Sequence, residues 1–180
     1  MAQTGGNLAC QEVPRIGCGT VFKLGKNREL TVLHTFQGGT DSASPRPGLL
    51  LDATGNLYGA AGLGGAKNGI VFKISIDGSY TVLHRFSLME GMTPNGSLAA
   101  DEAGNLYGTT QLGGAHNLGT VFELTPGGML LVLHGFTGDL DGAVPLAGLI
   151  RDEAGNLYGT ADKNLMIQQI QGGSVFKVTP

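Results

Sequence analysis

The sequence predicts an all-β protein, a β-propeller built from four-stranded blades of about 50 residues each. Three short phrases that recur in step along the chain carry this prediction. Gly-x-Val-Phe starts at Gly19, Gly69, Gly119 and Gly173, Gly-Asn-Leu starts at Gly6, Gly55, Gly104 and Gly155, and Val-Leu-His ends at His34, His84 and His134. Because repeats of this length are typical of stacked supersecondary units, the chain is interpreted as about three and a half copies of one unit.

The repeats form one domain over residues 1–180, with boundaries predicted at 1–47, 48–96, 97–147 and 148–180. Counting predicted strands by type gives two whole blades between two partial ones. The N-terminal piece lacks a first strand and the C-terminal piece lacks a fourth strand, so we expect the chain not to close a ring by itself.

The third repeat shows how each strand is predicted. A short apolar run, Ser97–Asp101, ends in Asp-x-x-Gly-Asn, a sequence typical of a tight hairpin in which the glycine takes a positive φ. A second strand follows over Asn105–Thr110, and a third over Gly119–Leu124 after a glycine-rich loop. A Pro-Gly-Gly turn leads to the fourth strand, Leu131–Phe136. Short antiparallel strands joined by tight turns predict a propeller blade.

Every phenylalanine occupies a repeated position, which indicates a packing role. The third strands contain Phe22, Phe72, Phe122 and Phe176, and the fourth strands end at Phe36, Phe86 and Phe136. Because propeller blades stack face to face, we expect these rings in the core between blades rather than stacked on a ligand.

Composition excludes several classes of function. The chain has 32 glycines in 180 residues, only 14% charged residues and a net charge of −3, without a basic patch, so no nucleic-acid partner is expected. It has no apolar stretch long enough for a membrane helix. The first residues have neither a basic nor an apolar region, so we expect no signal peptide in this chain. A disulfide between Cys10 and Cys18 and a pair of free buried thiols are both consistent with the sequence.

The repeated phrases resemble a known family. Gly-Leu-Ile-x-Asp-x-Ala-Gly-Asn-Leu-Tyr-Gly-Thr, Gly-Thr-Val-Phe-x-Leu-Thr-Pro and Val-Leu-His-x-Phe together are similar to the GloVer-type tandem repeat of bacterial "choice-of-anchor" surface proteins. The resemblance covers nearly the whole chain. It implies an extracellular or cell-surface setting, with an anchor elsewhere in a longer protein, and it implies no known activity.

Repeated polar residues are interpreted as structural. His34, His84 and His134 each fall on an apolar strand face, so we expect core histidines that bond a neighbouring blade's backbone, and no metal site. Acidic residues recur four positions before Pro45, Pro94 and Pro145. We interpret them as residues that cap these loops. Weak contact with a cation or a glycan is the alternative.

Candidate binding residues are the non-repeated polar groups on the long second-to-third and fourth-to-first loops, which share one face of a propeller, here called the loop face. These candidates are Arg46, Lys67, His116, Asp139 and Asp141. No arrangement of catalytic residues, phosphate loop or cofactor motif stands out, so no catalytic residue and no cofactor is predicted. The preferred interpretation is a non-catalytic binding or assembly module at the bacterial surface, with a glycan or protein ligand. The alternative is a hydrolase or lyase with its site on the loop face.

The last long loop is unusually apolar and suggests self-association. Leu165, Met166, Ile167 and Ile170 either fold over their own blade or form an interface with another chain. Because the partial blades leave open edges, we expect a homodimer that closes a ring of about seven or eight blades. A lone partial or four-bladed unit and a larger or open assembly are the alternatives.

Overall fold

The computed structural model describes residues 1–2, 6, 10, 17–63, 68–162 and 173–179. The strands in chain order are β1 Thr20–Leu24, β2 Leu30–Thr35, β3 Ala43–Pro45, β4 Leu50–Leu51, β5 Leu57–Leu63, β6 Ile70–Ile74, β7 Tyr80–Arg85, β8 Met92–Ala100, β9 Leu106–Leu112, β10 Thr120–Leu124, β11 Leu130–Gly135, β12 Ile150–Arg151, β13 Leu157–Ala161 and β14 Ser174–Val178. A short 3-10 helix spans Gly39–Asp41.

The strands form four separate antiparallel sheets, one for each blade. Blade 1 contains β1 and β2, and Ala2 forms an isolated bridge to Thr20. Blade 2 contains β3 to β7, blade 3 contains β8 to β11, and blade 4 contains β12 to β14. The all-β propeller-like architecture predicted from the repeats is confirmed. None of the helices in the described ranges is long and apolar enough to cross a membrane.

In blades 2 and 3 the first strand begins earlier than the sequence predicts, whereas in blade 4 it begins at Ile150 and is preceded by an isolated bridge from Ala143 to Asp162. β8 starts at Met92 within a connection expected to be loop, and a register shift between Asn95 and Ala99 interrupts its pairing with β9. In blade 2 the same strand is divided into β3 and β4, which both pair with β5. The connections from the fourth strand therefore contribute backbone to the innermost part of the next blade.

The core lies between successive blades, as the phenylalanine positions predict. The fourth-strand ring of one blade meets the third-strand ring of the next edge to face: Phe36 contacts Phe72 at a centroid distance of 5.5 Å, and Phe86 contacts Phe122 at 5.1 Å. These four rings are fully buried. Stacking of large side chains from adjacent sheets therefore holds the blades together.

Candidate functional site

The first-to-second hairpins are held by a repeated hydrogen-bond network. Asp101 accepts bonds from the backbone N–H of Asn105 at 2.9 Å, from the Asn105 side chain at 2.8 Å and from the Tyr107 hydroxyl at 3.0 Å. The same three bonds occur in the hairpins that start at Asp52 and Asp152. The predicted positive φ is confirmed at Gly104, with a value of 84°. Because the Asn and Tyr of the same hairpin make these three bonds to each Asp carboxylate, we interpret the network as structural.

The repeated histidines pair with the repeated acidic residues. His134 Nε2 lies 3.0 Å from an Asp141 carboxylate oxygen, and His34 lies 3.0 Å from Asp41. The third pair, His84 and Glu90, is separated by 3.3 Å. The expected partner of these histidines, a neighbouring blade's backbone, is therefore replaced by a carboxylate. The shared period of the two residue types in the sequence is the signal that could have predicted this pairing.

Each of these carboxylates also caps the start of its own connection. Asp141 accepts hydrogen bonds from the Thr137 backbone N–H at 3.0 Å and from the Thr137 hydroxyl at 2.8 Å. Burial alone would raise the pKa of Asp141, but the bonds from Thr137 and His134 outweigh burial and hold that pKa below its ordinary value of 3.8. In the part of the chain that the structure describes, no group of three or more His, Cys, Asp or Glu side chains could hold a metal ion.

Replacing Asp141 by Asn should reveal this network as a pH-dependent contribution to stability. A carboxylate with a lowered pKa stabilises the fold above its unfolded pKa, and the contribution is lost as the pH falls through the folded value. Asp141→Asn should therefore lower the free energy of unfolding by about 1 kcal/mol at neutral pH, with the deficit shrinking below about pH 4.

Urea unfolding of both proteins across that pH range measures the deficit. Asp139→Asn is the matched control, because it removes the same charge from an exposed side chain two residues away. A deficit that stays constant at acid pH would contradict the pairing.

The loop-face candidates are spread over different blades. Arg46 follows β3 in blade 2, His116 is exposed in the loop between β9 and β10, and Asp139 is exposed in the connection that follows β11. Asp141 is engaged by His134 and Thr137. Lys67 and the apolar interface candidates Leu165, Met166, Ile167 and Ile170 lie outside the described residues. The structure therefore gives Arg46, His116 and Asp139 separate surroundings.

Arg46 differs from its counterparts in the other blades. It occupies the position after the repeated proline on the innermost strand, where blade 3 has Asn95 and blade 4 has Leu146. Its backbone N–H donates to Ala60 O at 2.8 Å, while Asn95 uses its side-chain amide to donate to Leu146 O at 3.0 Å. Among the three described copies of this position, Arg46 is therefore the one that is a cation.

The Arg46 guanidinium is partly withdrawn from water. It lies directly over Gly62, where a methyl group would collide with Nε and Nη2. Nε is buried and has no hydrogen-bond partner within the described ranges, and burial lowers the pKa of Arg46 from its ordinary value. An arginine remains charged under these conditions, so Arg46 is a partly desolvated cation. Such a group is suited to binding a carboxylate or a developing oxyanion.

Clefts also open on the opposite face, where the tight turns lie. One of about 350 Å³ lies between blades 2 and 3, and one of about 420 Å³ lies between blades 1 and 2. Equivalent positions of the repeat line both clefts, with Lys73, Leu106 and Pro126 in the first and Lys23, Leu57 and Ile76 in the second. Since equivalent clefts recur at successive junctions, they follow from the stacking of the blades.

Comparison with known families identifies the repeat. The family model described as the Gloeobacter/Verrucomicrobia repeat matches residues 3–180. The chain belongs to this family. This confirms the resemblance seen in the repeated phrases. No curated protein matches the chain.

Solved structures with a similar fold are described as enzymes. A gluconolactonase from Xanthomonas campestris aligns with a TM-score of 0.56 at 17% identity, over 91% of this chain and 56% of its own. A luciferin-regenerating enzyme aligns with a TM-score of 0.57 at 16% identity, over 93% of this chain and 53% of its own. This chain thus spans about half the length of these two proteins.

These matches correct the functional interpretation drawn from the sequence. A non-catalytic binding or assembly module was the preferred interpretation, and it is wrong in the light of propellers that are named for catalytic activities. The error has a physical reason. Most recognisable residues of this sequence recur in every repeat because they pack the blades together, so they do not mark a catalytic site. The alternative interpretation, a hydrolase or lyase with its site on the loop face, agrees better with these matches.

Proposed function

We propose that this chain forms part of a β-propeller hydrolase that opens small lactones or related esters at its loop face. The observation that supports the proposal most strongly is the shared fold with a gluconolactonase over 91% of the chain. The loop face is favoured because the long connections meet there and because active sites are concentrated on such loops. Water attacks the ester carbonyl carbon and the acyl C–O bond breaks, with its oxygen leaving as a hydroxyl group. A lactone therefore yields a hydroxy acid, and an open-chain ester yields an acid and an alcohol.

Arg46 is the residue we assign to the reacting carbonyl. Attack of water on a lactone places negative charge on the carbonyl oxygen, and a fixed, desolvated donor stabilises that charge more than bulk water does. The half-buried guanidinium of Arg46 is a cationic donor group of this kind. Arg46 would therefore bind the oxyanion, while its planar guanidinium is held in place over Gly62.

Arg46→Met tests this role, because methionine keeps an unbranched stem of similar size and removes the charge. Removal of one oxyanion donor should lower kcat/KM for hydrolysis of glucono-δ-lactone or an aryl ester by roughly 100-fold to 1,000-fold. Arg151→Ala, which removes an exposed arginine from β12, is the control and should leave the rate unchanged. Equal rates for wild type and Arg46→Met would refute the assignment of Arg46.

We also infer that the protein works in an oxidising, extracellular setting. Cys10 and Cys18 form a disulfide, and such bonds persist mainly in secreted and surface proteins. Protein isolated from its native cells without reductant should therefore take up no thiol alkylating reagent. Two alkylated cysteines in an intact-mass spectrum would contradict this setting.

A further inference from the structure

Every internal junction between blades joins the same two kinds of face. At the junction of blades 2 and 3, Leu50, Tyr58 and Val71 of one blade pack in a single cluster with residues of the next. The partners on blade 3 include Phe122, Leu124 and Leu130. One repeat thus contributes two complementary apolar surfaces, one towards each neighbour.

Blade 4 exposes the first kind of face, here called the tail face, which consists of Ile150, Tyr158 and Val175. Val175 is 81% exposed, whereas its counterparts Val71 and Val121 are 0% exposed. Ile150 is exposed as well. Within the described strands, β14 pairs only with β13.

Blade 1 exposes the second kind of face, here called the head face, which consists of Phe22, Leu24 and Leu30. Leu24 is 64% exposed, whereas its counterparts Ile74 and Leu124 are 2% and 1% exposed. Phe22 is partly exposed, while its counterpart Phe122 is fully buried. The two ends of the described fold therefore leave open one face of each complementary kind.

We propose that the tail face of one copy packs on the head face of a second copy, in the arrangement already used between blades 2 and 3. Two such contacts related by a two-fold axis close a ring, because each copy offers one tail face and one head face. Four blades from each copy give eight, which lies within the known range for propellers.

A second copy is the occupant that the surfaces favour. The tail face carries the counterparts of Leu50, Tyr58 and Val71, and the head face carries the counterparts of Phe122, Leu124 and Leu130, which belong to the same cluster. The chain also spans only about half the length of the propellers it matches, at 53% and 56% of their chains. The association stands apart from the proposed hydrolase activity, because it rests on packing surfaces and is measured by mass.

Charged substitutions on each face test the arrangement. Val175→Glu and Leu24→Glu both replace exposed side chains, so both proteins should fold. Wild type should sediment at twice the chain mass of 18.5 kDa at about 50 μM, a concentration suited to interfaces of micromolar affinity, and each variant alone should sediment as a monomer. Leu140→Glu, at a fully exposed loop position, is the matched control and should remain a dimer.

Mixing the two variants distinguishes a tail-to-head contact from a symmetric one. A mixture of Val175→Glu and Leu24→Glu chains contains one intact tail face and one intact head face, so it should form a one-to-one heterodimer. A symmetric tail-to-tail contact would leave Leu24→Glu dimeric by itself, and that result would overturn the proposal. A monomeric wild type, which would leave both faces to a different protein chain, or a mass that keeps growing with concentration would also overturn it.

Discussion

Phe122→Ala is expected to lower the free energy of unfolding by about 3–5 kcal/mol, the range for a fully buried phenylalanine. Phe122 is 0% exposed and lies at the centre of the cluster between blades 2 and 3, where it meets Phe86 edge to face. Truncation would remove this ring contact and leave a cavity that two rigid sheets cannot collapse to fill.

Urea unfolding at a fixed protein concentration measures the effect of Phe122→Ala. Leu140→Ala is the control, because Leu140 is fully exposed and its truncation should change stability by less than about 0.5 kcal/mol. A loss at Phe122 as small as the loss at Leu140 would show that the blades do not depend on this interface.

Gly119→Ala should lower the free energy of unfolding by about 2–4 kcal/mol, from backbone strain and overpacking together. Gly119 has a φ of 97°, and a methyl group there would collide with the Thr110 carbonyl oxygen and approach Pro145 Cδ to 2.7 Å. Pro145 belongs to the connection that enters blade 4, so the clash would push apart two blades.

Gly78→Ala separates strain from steric collision. Gly78 has a similar φ of 88°, but an added methyl group would have no neighbour within 4 Å. This control should cost only about 1 kcal/mol, the strain component alone. If the free energy of unfolding fell equally in Gly119→Ala and Gly78→Ala, the close approach of Pro145 to Gly119 would not contribute to stability.

The parts of the fold that follow from local chemistry could be predicted from the sequence. The Asp-x-x-Gly-Asn hairpins form where the phrase occurs, because Asp101 and Asn105 supply the bonds and Gly104 supplies the positive φ. The buried phenylalanines follow from their period, because equivalent positions of stacked blades face equivalent neighbours.

The early start of the first strands could not be predicted in this way. Thr93 and Val144 precede prolines and have positive φ values of 55° and 52°, which are unusual for β-branched residues. Hydrogen bonds to the preceding blade hold them there, from Thr93 N–H to Asn68 O and from Val144 N–H to Leu118 O, at 2.7 and 2.8 Å. Such a conformation depends on contacts between blades, so local sequence preferences do not reveal it.

The sequence points to the candidate site only through residues that differ from their counterparts in the other repeats. Arg46 stands out in the sequence because its counterparts are Asn95 and Leu146, but its buried Nε and its position over Gly62 are properties of the folded chain. The histidines show the converse, since their repetition led to a structural interpretation that did not include their carboxylate partners.

The catalysed rate of lactone opening tests the central claim most directly. Hydrolysis of glucono-δ-lactone releases a proton at neutral pH, so alkali uptake in a pH-stat follows it without a coupled reaction. The account predicts an initial rate that rises in proportion to the concentration of wild-type protein, exceeds the spontaneous rate, and falls to near that rate with Arg46→Met. A rate that equals spontaneous hydrolysis at every protein concentration, for this lactone and for aryl esters, would contradict a hydrolytic site on the loop face.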